Sequence, residues 1–135
     1  MSKFLTAQPG DLAALREKLR QDPAFVVIAL CAAWCRICGE FADGFDRLAR
    51  ERPDALFLWL DIEDDSAVVG DIEVENFPTL AVYRDGVPAH FGISLPQEAV
   101  VRRVLEALAT AERSTAAADL PEVETLLQRV RELAG

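Results

Sequence analysis

The sequence predicts an α/β domain: a mixed sheet with helices on both faces, followed by an extra C-terminal helix. Three observations carry this. Two continuously apolar runs, residues 25–30 and 56–60, have the character of strands buried on both faces. Stretches with apolar residues at helical spacing lie between and after them. One hairpin signal, Asp85-Gly86, sits between two short β-prone segments. Strands that alternate with helices and then form a hairpin give a sheet of mixed direction covered on both sides.

The elements follow in order. Pro9-Gly10-Asp11 opens a first helix with Leu12, Leu15 and Leu19 on one face, and Gln21-Asp22-Pro23 ends it. Phe25-Val26-Val27-Ile28-Ala29-Leu30 is a buried central strand. A second helix is expected from about Cys35 to Arg50, with Ile37, Phe41, Phe45 and Leu48 as its apolar positions and Gly44 as a bend. Arg52-Pro53-Asp54 is a turn, and residues 56–61 are a second buried strand. The acidic run Asp61 to Asp65 is expected to be a solvated loop capping a short helix over Ser66 to Ile72.

Phe77-Pro78-Thr79 leads into a strand from Leu80 to Arg84, and Val87 to Phe91 returns antiparallel to it, with Gly92 breaking the pattern. Ser94 and Gln97 have capping-box spacing and Pro96 lies in the first turn of a fourth helix carrying Val100, Val101, Val104, Leu105 and Leu108. Two units are expected: a domain over 1–110, then a small-residue linker and amphipathic helix over 111–135, with Val123, Leu126, Leu127, Val130 and Leu133 as its stripe. That helix is expected to pack on its own domain; docking of a partner or a second copy is the alternative.

Composition narrows the function. The 135-residue chain is 51% hydrophobic, enough for a packed core without staples. A formal net charge of -9 argues against nucleic acid and anionic membrane surfaces as partners. No stretch has the length of a membrane span, and the N-terminus lacks a signal-type apolar core. Three cysteines are too few for a disulfide scaffold, so the reducing cytoplasm is the expected compartment.

Chemistry concentrates at Trp34-Cys35-Arg36-Ile37-Cys38, where a buried strand hands over to a helix. A cysteine at a helix N-terminus meets unpaired N–H groups and the helix dipole, which stabilise a thiolate; a second one turn later can close a ring with it. Arg36 is either a solvated side chain or a charge acting on Cys35. Cys31-x3-Cys35-x2-Cys38 also matches the cluster spacing of radical-SAM enzymes, but the chain is too short for their barrel, and no metal or cofactor is expected. Cys31 is expected to be a small buried residue behind the site, with a third redox-active thiol as the alternative. His90, the single histidine, is expected at the surface, and Trp59 in the core.

These motifs together resemble the thioredoxin family over roughly residues 4–110. Ala33-Trp34-Cys35-x-x-Cys38 follows a buried strand, Phe77-Pro78-Thr79 comes some forty residues later, and the Asp85-Gly86 hairpin is followed by Gly92. The resemblance implies a three-layer sandwich and a disulfide reductase or exchange activity on protein disulfides. It implies Cys35 as the nucleophile, Cys38 as the resolving cysteine that leaves a Cys35–Cys38 disulfide, and Trp34 as a shield. It also implies a cis bond before Pro78, with the adjoining backbone pairing with an extended substrate. An external reductant, such as a thioredoxin reductase or a glutathione system, would recycle the pair.

The chain departs from that pattern in three places. Arg36-Ile37 replaces Gly-Pro, Ala29 stands where many members bury an acid, and Trp59 stands where a lysine usually accompanies it. No obvious internal base is left for Cys38. A binding module or chaperone-like adaptor that keeps the fold with little redox turnover is the competing function.

Overall fold

The computed structural model describes residues 4–70, 72, 74, 77–93, 97–110 and 121–135. The expected cap at Ser94 and Pro96, and the linker over 111–120, lie outside the described residues. Strand β1 (Leu5–Thr6) and a single 3-10 turn (Pro9–Asp11) lead into α1 (Leu12–Arg20). Then come β2 (Phe25–Cys31), α2 (Arg36–Glu51), β3 (Leu56–Asp61), α3 (Ser66–Val69), β4 (Thr79–Arg84), β5 (Val87–Ile93), α4 (Glu98–Thr110) and α5 (Pro121–Ala134).

The sheet has the order β1-β3-β2-β4-β5. β1, β3 and β2 run parallel, while β4 is antiparallel to β2 and to β5. Every residue of β2 is buried. Because side chains alternate across a strand, β2 feeds two cores. Val26, Ile28 and Leu30 join Leu15, Val68, Val69 and the α5 residues Val123, Leu126, Leu127 and Val130 on one face. Phe25, Val27 and Ala29 join Phe41, Phe45 and Leu48 of α2 and Val101 and Leu105 of α4 on the other. This is the expected three-layer arrangement with its extra C-terminal helix.

The hairpin follows from its turn chemistry. Asp85 and Gly86 both have positive φ, 54° and 82°, as the two-residue turn between right-twisted strands requires. β5 continues past the expected break: Gly92 pairs with Leu80 and Ile93 with Thr79. A glycine lacks a side chain to pack, but its N–H and C=O still serve the ladder. β1, which no periodicity announces, is held because Leu5 and Thr6 align with Leu58 and Trp59 and the Phe4 N–H donates to the Asp46 carboxylate at 3.2 Å. His90, paired across the hairpin with Val82, is half-buried rather than at the surface, and burial lowers its pKa.

α2 runs uninterrupted through Gly44. A Cβ there would stand 3.1 Å from the Glu98 Cβ, and the glycine lets α4 close on α2. Arg102 reinforces that contact with a two-pronged bond to Glu51 at 2.7 and 3.0 Å, and Arg47 reaches Glu98 at 2.7 Å. These exposed pairs contribute little each; the apolar contact beneath decides the packing.

α5 buries Val123, Leu126, Leu127 and Val130 of its apolar stripe within its own chain, while Leu133, 36% exposed, is left at the surface. Arg16 Nε donates to the Ala134 carbonyl at 2.6 Å, and Arg129 Nη1 to the Val69 carbonyl at 3.3 Å. The buried Tyr83 hydroxyl donates to the Val123 carbonyl in the first turn of α5, and burial pushes the phenol pKa upward.

The acidic run is solvated at Glu63 and Asp64, as expected, but not at Asp65. α3 spans only four residues because Gly70, at φ 64°, ends it. The Asp65 carboxylate turns inward, with the residue 9% exposed, and accepts from the Asp61 N–H at 2.8 Å. Burial raises its pKa; the Asp61 N–H opposes this, and the charges of Asp61 and Asp64 add to it. Burial also pushes the Asp61 carboxyl up, but N–H donors from Asp64, Glu63 and Ala33 outweigh it, and its pKa is lowered overall.

Two predictions follow from this packing. Tyr83→Phe removes the bond to the Val123 carbonyl, which keeps its helical N–H donor, and should cost roughly 0.5–1.5 kcal/mol, read from urea unfolding. For Asp65, folding raises the acid above its ordinary 3.8, so folding is penalised progressively as pH rises from there through the folded-state value. Asp65→Asn keeps an acceptor for the Asp61 N–H. It should therefore melt higher than wild type at pH 7, with the advantage shrinking as pH falls towards 3.8.

Candidate active site

The site forms where the C-terminal end of β2 meets the N-terminus of α2. Cys35 is the N-cap residue, with extended backbone (φ -84°, ψ 115°), and its N–H donates to the Ala32 carbonyl at 3.0 Å. From this position its side chain lies at the end of a helix whose first N–H groups have no partner within the helix. Cys35 is half-exposed and a free thiol.

Cys38 lies one turn in and is 1% exposed. It continues the stripe Cys38, Phe41, Phe45, Leu48 that faces the sheet. Ile37, expected on the apolar face, is 46% exposed instead. Steps of three, four and three residues from Cys38 fit the helical repeat, and they leave Ile37 beside the seam, where it meets solvent. Trp34 is 67% exposed, and its indole N–H donates to a Glu63 carboxylate oxygen at 2.6 Å. Its ring meets Phe77 edge-on at 5.5 Å between centroids. Trp34, Ile37 and Phe77 thus form an apolar rim around Cys35.

The Phe77–Pro78 peptide bond is cis. Pro78 is buried where the chain enters β4, and the Trp34–Phe77 contact sets this loop against the cysteine turn. Gly92 lies across the hairpin from Leu80, two residues past Pro78. The Arg36 guanidinium pairs with Glu40 on the next turn of α2 at 3.5 Å, in full contact with water, so it is engaged on the helix surface.

The disulfide differs from the one the resemblance implies. Cys38 is bonded to Cys31, with a Cα–Cα distance of 5.9 Å. Strand parity explains the partnership. Cys31 extends the series Phe25, Val27, Ala29 on the face of β2 that α2 covers, and Cys38 leads the α2 stripe that covers it. Cys31 is fully buried, as expected, and is also a bonded partner. Period-two alternation on the strand and helical spacing on α2 together contain the signal, had the two stripes been set against each other.

Behind the cysteines lies a cavity of about 350 Å³, lined in part by Ala32, Ala33, Cys38, Trp59, Asp61 and Asp65. Ala29 and Trp59, neighbours across β2 and β3, fill the place where the family buries an acid and a lysine. Trp59 stacks with Phe4 at 5.2 Å and contacts Phe45 at 5.8 Å, so it packs, partly buried, against the core. Acidic groups reach this region from Asp61 and Asp65 instead. Among the described residues, no group of three or more potential ligands could hold a metal ion.

Comparison with known proteins agrees with this geometry. The thioredoxin family profile matches residues 10–106. Thioredoxin-1 of Saccharomyces cerevisiae is 30% identical over 86 residues, covering 64% of this chain and 78% of the relative. A thioredoxin of Ophiophagus hannah is 27% identical over 82 residues, covering 60% and 78%. Among solved structures, a poplar thioredoxin h superposes with a TM-score of 0.64 at 19% identity, over 81% of this chain and 97% of that one. A thioredoxin mutant from Halobacterium salinarum gives 0.63 at 22% identity, over 82% and 94%. With a free cysteine at a helix N-cap, a second cysteine one turn on and a cis-proline loop against them, the chain belongs to the thioredoxin family and is a thiol–disulfide oxidoreductase.

Proposed function

We propose that the protein reduces or exchanges disulfides of other proteins, with Cys35 as the attacking thiol. The observation that carries this is the placement of Cys35: the one unbonded cysteine of three, at the N-cap of α2, inside a rim of Trp34, Ile37 and Phe77. Its thiolate attacks a substrate disulfide, bonds to one sulfur and releases the other as a thiolate. Cys38, when reduced, then attacks Cys35, frees the second substrate sulfur and leaves a Cys35–Cys38 disulfide.

The exposed apolar side chains favour a protein substrate, since an extended segment could lay apolar groups over Trp34 and Ile37. The backbone at Phe77, just before Pro78, would pair with that segment. Arg36 and Gly92 shape the rim's two ends, one as a solvated charge and the other without a side chain. An external dithiol reductase or a glutathione system would return the electrons, and the reducing cytoplasm is the compartment in which this cycle runs towards substrate reduction. The domain over 1–110 carries the chemistry, and the segment over 111–135 completes the core through α5.

The adaptor reading separates from this one by a single substitution. Cys35→Ser should reduce insulin no faster than dithiothreitol alone, and retained activity would overturn the proposal. Ile37→Ser removes part of the apolar rim while leaving every cysteine in place. It should raise KM for a protein disulfide roughly three- to tenfold, measured in the same assay.

A further inference from the structure

All three cysteines belong to one contiguous unit, and Cys38 is its centre. It is bonded to Cys31 at the end of β2 and lies one helical turn from the free Cys35. Residues three apart on a helix are neighbours, so Cys35 and Cys38 can approach each other. The two bonded cysteines are 0% and 1% exposed, and Cys35 is the only member that meets solvent appreciably. Cys38 borders the cavity behind the site, but Asp61, Asp64 and Asp65 share that wall and oppose an approaching anionic thiolate.

Resting on the thiol–disulfide reading of the site, we propose that Cys31–Cys38 is a buried store of the oxidised form, loaded and emptied through Cys35. In the exchange, the Cys35 thiolate attacks the Cys38 sulfur and a Cys35–Cys38 bond forms. The Cys31–Cys38 bond breaks, and Cys31 leaves as a thiolate that takes up the proton Cys35 gave to water. Two sulfurs remain oxidised and one reduced, so this step needs no external oxidant or reductant. An external dithiol then reduces Cys35–Cys38 to two thiols and itself becomes a disulfide. Cys31 is thereby a third redox residue, and the partition between the two disulfide isomers sets how much oxidised protein is open to the reductant.

The test uses the full chain, oxidised and then trapped with acid and an alkylating agent, with labelled cysteines mapped by mass. The expected wild-type product includes a population with Cys31 and Cys38 bonded and Cys35 labelled. If Cys31 is labelled in every oxidised molecule, the store does not exist. The second arm follows loss of the Cys31–Cys38 bond in dithiothreitol under native conditions, for wild type, Cys35→Ser and Cys35→Ala. Both variants should lose it about tenfold more slowly or worse, and all three should lose it equally fast in urea. Equal native rates would overturn the gateway role of Cys35.

The third arm is Cys31→Ser, which keeps Cys35 and Cys38. It should still reduce insulin, and its oxidised form should be wholly Cys35–Cys38. An inactive but folded Cys31→Ser would overturn the storage role, because Cys31 would then be required in turnover. A wild-type protein that exchanged its disulfides internally yet never reduced insulin would defeat the function proposed above and leave the store intact.

Discussion

Burial of β2 on both faces is the constraint from which the rest of the molecule follows. A strand with helices above and below cannot place a charged group on either side without partners, so Phe25 to Cys31 are all apolar or small. Its alternation sends three residues into each of two cores. Those cores in turn dictate which side of the sheet each helix covers: α1, α3 and α5 on one face, α2 and α4 on the other. The loop after β2 must therefore carry the chain directly onto the second face, and the cysteine turn is that loop.

The same constraint shapes the chemistry. With Ala29 and Trp59 closing the interior, the strand offers no carboxylate to the cysteines, and a small thiol at Cys31 occupies the last inward position before the turn. A cysteine in that place is within bonding reach of whichever residue leads the buried stripe of α2, and that residue is Cys38. The protein thus combines an exposed sulfur at a helix end with a pair of sulfurs sealed between strand and helix. Acidic groups arrive from the neighbouring turn after β3, where Asp65 folds inward at the expense of its own ionisation. That turn is a local conflict between stability and charge, placed on the wall of the cavity behind the reacting groups.

The outer surface of the site has a different physical character. Trp34 and Ile37 expose apolar area that the core has no room for, because the helical repeat assigns the inward positions to Cys38 and Phe41. An apolar rim around a free thiol suits the association of a polypeptide better than that of a small charged disulfide. The negative charge of the chain acts at longer range, favouring partners with neutral or basic surfaces.

Much of this was legible in the linear chain. Continuous apolar runs gave the central strands, Asp85-Gly86 the hairpin, helical spacing the stripes of α1, α4 and α5, and the strand–Cys-x-x-Cys–helix pattern the chemistry. These are local properties, written in the periodicity and backbone preferences of consecutive residues. What only the tertiary structure decided depends on two segments meeting. The pairing of Cys31 with Cys38 needs the odd face of β2 set against α2; the inward turn of Asp65 needs the Asp61 N–H at the end of β3; and β1 exists because β3 offers an edge. The close approach of α4 at Gly44 and the exposure of Ile37 were decided for the same reason, since what packs opposite a glycine makes it a contact, and what packs opposite an isoleucine makes it core or rim. The chain specifies which residues can be buried, and the assembled sheet and helices determine which neighbours they are buried with.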